Sequence, residues 1–142
     1  MIPHLQLVDM SSCNCGTFQM RQHQVFSGVV REIVFHRNEL YVATLHHVVR
    51  VRDSLEHVHH ENDIITSFAM SPDGRHNVTV TNSSVWVQSD QTNGKSMLLH
   101  AKPYVVLQYC AFSPNSDYVV VLLEFALSYM WSICMGIFTR IK

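Results

Sequence analysis

Apolar and polar residues alternate along this chain in short runs, and the clearest run is Ile65 to Gly74, ITSFAMSPDG. Ile65, Phe68 and Met70 follow a period of two with a slip of one near Ser67, which predicts a β-strand. Ser71-Pro72-Asp73-Gly74 then closes the strand with turn chemistry. Pro presets φ, Asp hydrogen-bonds its own backbone, and Gly takes φ > 0. The phrase returns at Leu107 to Ser116, LQYCAFSPNS, and more faintly at Val30 to Glu39, VREIVFHRNE. A strand–turn unit repeated along a chain predicts a repeat architecture.

The same patterning predicts strands at His4 to Met10, Thr17 to His23, Val29 to His36, Glu39 to Leu45, Val48 to Asp53 and Leu55 to His59. After the central strand come His76 to Thr81, Ser84 to Ser89 and Lys95 to His100, with a type I′ hairpin expected at Gln91 to Gly94. Tyr104 to Phe112, Tyr118 to Glu124, Leu127 to Ile133 and Gly136 to Ile141 complete the set. No stretch before residue 118 combines helical periodicity with start and stop signals. The expected fold class is all-β.

The pairs Val8-Asp9, Arg52-Asp53, Gln88-Ser89 and Trp131-Ser132 end equivalent strands at spacings of 44, 36 and 43 residues. Four-stranded propeller blades repeat at about 40–45 residues. At these residues the chain resembles the WD-repeat β-propeller family. Trp131 matches that family's Trp, Asp9 and Asp53 match its Asp, and His23, His60 and His100 fall where the His of its Gly-His pair lies. Ser71 to Gly74 and Phe112 to Asn115 match its turn. The resemblance implies a partial β-propeller of four-stranded antiparallel blades, divided 1–27 (half blade), 28–63, 64–103 and 104–142. A propeller closes with about 4–8 blades. Three and a half would leave apolar faces in water, so the expectation is a piece of a longer propeller, a truncated gene product or a chain completed by a partner. Arg52 to Phe68, RDSLEHVHHENDIITSF, is also similar to WD-repeat subunits of ubiquitin-ligase and pre-ribosomal complexes.

Residues 119 to 138 support a second reading. VVVLLEFALSYMWSICMGIF carries one charge, Glu124, and precedes Arg140 and Lys142. Its length suits a membrane helix, so a membrane-tethered fragment is the alternative. Trp131 at the repeat spacing, and the cost of Glu124 in a span, favour strands.

Composition narrows the function. The chain has 142 residues, 47% apolar and 15% charged, with a net charge of −1. That flat balance gives no footprint for nucleic acid. Cys13, Cys15, Cys110 and Cys134 are too few for a disulfide scaffold, and no signal peptide is visible. An intracellular setting, cytoplasmic or nuclear, is expected. There is no G-x-S-x-G, phosphate loop or G-x-G-x-x-G, so the expectation is a chain without catalysis or cofactor.

Ten histidines stand out. On a regular strand His57 and His59 share a face and could chelate a metal, but a third ligand is not evident. Cys13-Asn14-Cys15 lacks the second pair that a zinc ribbon needs. No metal site is expected. The resemblance implies instead a scaffold for protein or peptide partners within a multi-subunit complex. Its binding face would be the loops that carry His46, His47, His60, Glu61, Asn62, Asp63, Asn82 and Lys102.

Overall fold

The computed structural model describes residues 4–9, 21–27, 29–51, 55–89, 95–101, 105–123, 128–134 and 136–141. All regular structure among them is β. Strands β1 (His4–Asp9) and β2 (Arg21–Ser27) form a two-stranded sheet. Three four-stranded antiparallel meanders follow. The first holds β3 (Val30–His36), β4 (Glu39–Thr44), β5 (His47–Val51) and β6 (Leu55–His60). The second holds β7 (Ile65–Met70), β8 (His76–Thr81), β9 (Ser84–Ser89) and β10 (Lys95–His100). The third holds β11 (Leu107–Phe112), β12 (Tyr118–Leu123), β13 (Ser128–Cys134) and β14 (Ile137–Arg140).

The first strands of successive sheets lie against each other, β3 on β7 and β7 on β11. Each carries a bulge at the equivalent place, between Val30 and Glu32, Ile65 and Ser67, and Leu107 and Tyr109. The slip expected near Ser67 is the middle one. The bulge turns a backbone N–H out of its own ladder and toward the preceding sheet. Phe68 N–H donates to Glu32 Oε2 at 2.8 Å, and Cys110 N–H donates to Ser67 Oγ at 3.2 Å. Ser67 Oγ donates in turn to Glu32 Oε2 at 2.9 Å. A polar chain thus ties the three inner strands together.

Apolar side chains fill the two interfaces between sheets. Tyr41, Ala43, Val48, Ile65 and Phe68 pack between the first and second. Val78, Val80, Val85, Leu107, Val119 and Trp131 belong to the larger cluster between the second and third. The central sheet is packed on both faces: β8, HNVTVT, alternates valine with polar residues yet buries all but one of its six. Full burial of each valine contributes about 1.5–3 kcal/mol.

The turns behave as their residues predict. Ser71 Oγ donates to Asp73 Oδ1 at 2.6 Å and accepts from His76 N–H, while Gly74 takes φ +76°. Ser113 repeats this with Asn115 Oδ1 at 2.7 Å and the N–H of Tyr118, and Ser116 takes φ +64°. Between β3 and β4, Arg37 and Asn38 both have positive φ, as a type I′ hairpin requires. The hairpin expected at Gln91 to Gly94 lies outside the described residues, as do Cys13 and Cys15.

Residues 119 to 138 supply β12, β13 and the start of β14. Val119, Val121 and Leu123 alternate into the core. Their side chains find apolar partners inside the fold, so the helical alternative is corrected for the described residues. Among those residues no helix is long and apolar enough to cross a membrane.

Candidate rim site

The loops β4–β5, β6–β7 and β8–β9 meet at one rim. Two backbone bonds build it: Glu61 N–H to His46 O at 2.8 Å, and Ile65 N–H to Leu45 O at 2.7 Å. The second sheet repeats the first of these as Ala101 N–H to Ser83 O at 2.7 Å. His46 Nδ1 lies 3.1 Å from Glu61 O and 3.3 Å from Asp63 O. Two carbonyl acceptors require Nδ1 to carry the proton. Ser83 Oγ donates to Asp63 Oδ2 at 3.0 Å, joining the rims of neighbouring sheets.

His47 begins β5 and pairs with His60 at the end of β6. Their ring centroids are 4.7 Å apart, and His57 adds a ring 5.3 Å from His47. Burial holds the His47 pKa below its ordinary value, and the neighbouring His60, His57 and His46 push the same way. The second sheet places His100 against Ser84 at the equivalent pair, with Nδ1 to Oγ 3.2 Å.

A bulge between Val48 and Val49 separates His57 from His59. His57 stands opposite Val49 and His59 opposite Val48, which are adjacent in β5 and point to opposite faces. The expected shared face is therefore corrected. His59 is buried, and its Nε2 donates to Glu61 Oε1 at 2.7 Å. Burial lowers the His59 pKa, which the bond to Glu61 only partly opposes. Among the described residues no cluster of three or more His, Cys, Asp or Glu could hold a metal ion.

Glu61 points inward rather than into solvent, with 6% of its surface exposed. Its Oε1 also accepts from Lys95 Nζ at 2.7 Å. Lys95 reaches from β10, donates to His60 O at 3.0 Å, and lies 4.5 Å from the Trp86 ring centroid. Glu61 is thus a tie between sheets. Asn62, Asp63, His60 and Asn82 remain exposed at the rim. Lys102 lies outside the described residues. Sequence reasoning placed Ser83 on these loops but not its tie to Asp63, and it missed Lys95; their partners lie 20 and 34 residues away. No local pattern carries that information.

A separate cleft of about 300 Å³ opens between the first and second sheets, lined by Tyr41, Arg50, Met70, Arg75, Asn77 and Gln88 among others. Arg50 there is held by Glu56, which receives its Nε and a terminal N–H.

No protein-family model matches the chain. No curated protein matches it in sequence. Solved structures do share its fold. A candidate 6-phosphogluconolactonase from Bacteroides uniformis matches with a TM-score of 0.65 at 12% identity, over 98% of this chain and 49% of that one. A second, from Bacteroides fragilis, matches with a TM-score of 0.60 at 17% identity, over 85% and 40%. A structure of S. cerevisiae Dbp5 bound to Nup159 and Gle1 matches with a TM-score of 0.62 at 12% identity, over 87% and 32%. The chain thus spans about a third to a half of the chains it matches, and the likeness is one of fold, all-β and propeller-like.

These matches correct the expectation of a chain without catalysis, because two of the proteins that share the fold are candidate lactonases. The missing motifs belong to strand–helix and phosphate-loop architectures. An all-β repeat fold assembles a site from several separate loops, which leaves no contiguous motif to find.

Proposed function

We propose that the chain is part of a WD-repeat-type propeller that docks a protein or peptide partner at the His46–Asp63 rim, within a larger intracellular assembly. The observation that carries this is the construction of the rim. Loops from two sheets are locked by His46, Asp63 and Ser83, while Asn62 and Asn82 stay exposed above them. Fixed loops with free polar tips lose little entropy on binding. The S. cerevisiae complex of Dbp5, Nup159 and Gle1 supports the reading, since a chain of this fold there belongs to a protein assembly. The pairs His47–His60 and Ser84–His100 support the WD-repeat alignment, because His60 and His100 stand where the family's His would fall. Strand order suggests that β1 and β2 are the outer half of a preceding blade.

The test is a pull-down from lysate with an Asn62→Ala, Asn82→Ala double variant beside the parent chain. Both changes sit on exposed side chains, so folding is expected to survive. Loss of the partners seen with the parent supports the rim. An unchanged set of partners rules this face out.

A further inference from the structure

One cross-strand pair recurs at the same place in each four-stranded sheet, joining the second strand to the third. It is Leu40 and Val51 in the first sheet, Asn77 and Gln88 in the second, and Val119 and Trp131 in the third. The first strands fix the equivalence, since Phe35, Met70 and Phe112 pair with Leu40, Asn77 and Val119. Where the pair is apolar it packs into the core: Leu40, Val119 and Trp131 are 6, 0 and 2% exposed. The second sheet puts two carboxamides there instead, and both line the cleft of about 300 Å³ between it and the first sheet. Asn77 Oδ1 and Gln88 Oε1 are buried and have no hydrogen-bond partner among the described residues. Among those residues no other buried side-chain atom without a partner lines the cleft. A buried oxygen without a donor is destabilising, so two of them side by side at a cavity call for a ligand that donates.

Charge restricts that ligand. The ionisable lining of the cleft is Tyr41, Arg50, His57 and Arg75, with neither Asp nor Glu. Arg50 is already engaged, by Glu56 at two nitrogens and by Glu39 at 3.6 Å. Arg75 is exposed, and no described residue forms an ion pair with its guanidinium. The nearby Asp73 carboxylate accepts from Ser71 Oγ and from the Arg75 backbone N–H instead. An anion is therefore favoured at Arg75, whose planar fork takes a carboxylate through two parallel bonds. The donors to Asn77 and Gln88 are neutral, because an ammonium would stand beside two guanidinium groups. A hydroxyl suits a carboxamide twice, donating to its oxygen and accepting from its NH2. We propose that this cleft binds a small hydroxy acid, its carboxylate on Arg75 and its hydroxyls on Asn77 and Gln88. The volume is at the small end of ligand sites. Strand β7 starts at the rim with Ile65 and ends at the cleft with Met70, so the two sites lie at opposite ends of the sheets and neither depends on the other.

The experiment is an NMR titration of the isotope-labelled full chain with L-tartrate, succinate and threitol in turn. Succinate keeps the two carboxylates of tartrate without its hydroxyls, and threitol has hydroxyls without charge. Tartrate is expected to bind at least about tenfold more tightly than either, shifting the side-chain NH2 signals of Asn77 and Gln88 and the Nε–H of Arg75. An Asn77→Leu, Gln88→Val double variant carries the first sheet's pair. It is expected to melt no lower than the parent and to bind tartrate no better than succinate. Arg75→Gln changes an exposed side chain, so the fold is expected to survive while tartrate binds at least about fivefold more weakly. No binding of tartrate, equal affinity for succinate or threitol, or tartrate binding unchanged in either variant overturns the proposal.

Discussion

Glu61 shows how a single carboxylate can hold two sheets together. It is buried, accepts from both His59 and Lys95, and has no solvent to replace either. Glu61→Ala is expected to cost about 1–3 kcal/mol, because it strands the buried His59 ring N–H, whereas Lys95, 35% exposed, can turn to water. Urea denaturation measures this, and a loss below about 1 kcal/mol contradicts the role. His47 and His59 set the pH response. Both have folded pKa values below 6.5, chiefly through burial, so the unfolded chain takes up protons first. Their contribution is complete above about 6.5 and falls as the pH drops below it. The melting temperature is expected to fall between pH 7.5 and 5.5, and less so in a His47→Gln variant. Gly74 is constrained twice. Its φ is +76°, and an added Cβ would lie 2.8 Å from His36 Nε2. Gly74→Ala is expected to destabilise by about 1–2 kcal/mol, part of it relieved by rotation of the His36 ring.

At the scale of elements, the inner strands are joined by Ser67, which donates to Glu32 and accepts from Cys110. Ser67→Ala strands a buried N–H and is expected to cost about 1–3 kcal/mol by thermal or urea unfolding. The Cys110 thiol beside it is fully buried, and burial pushes its pKa up to about 12. Iodoacetamide at neutral pH is therefore expected to label exposed Cys134 and to spare Cys110 until urea opens the fold. Peptide mapping by mass spectrometry reads both sites. Most elements were legible in the sequence because strand and turn patterns are local: Ser71 to Gly74 and Ser113 to Ser116 form the expected turns. Two boundaries differ from the pattern. β2 runs Arg21–Ser27, past the expected end at His23, with Thr17 to Met20 outside the described residues, and β11 begins at Leu107, after Val105 and Val106 and with Tyr104 outside them.

Across the whole molecule, stacking rather than strand propensity decides which apolar residues are hidden. Val119, Val121 and Leu123 are buried because the second sheet covers them, while Tyr118 and Leu122 on the same strand are exposed. The run YVVVLL is apolar throughout, yet the described chain covers only one of its two faces.

Sequence alone determined the all-β class, the repeated strand–turn unit and the Ser-led turns. These follow from period, turn chemistry and spacing, all of which act over a few residues. Tertiary structure decided the rest. It turned Glu61 inward to Lys95, set His57 and His59 on opposite faces through one bulge, and aligned Glu32, Ser67 and Cys110 across three strands. Each of these depends on groups brought together from 34 to 43 residues apart, or on a one-residue shift of register. A local pattern encodes neither, because the burial that gives such contacts their strength exists only once the sheets have stacked.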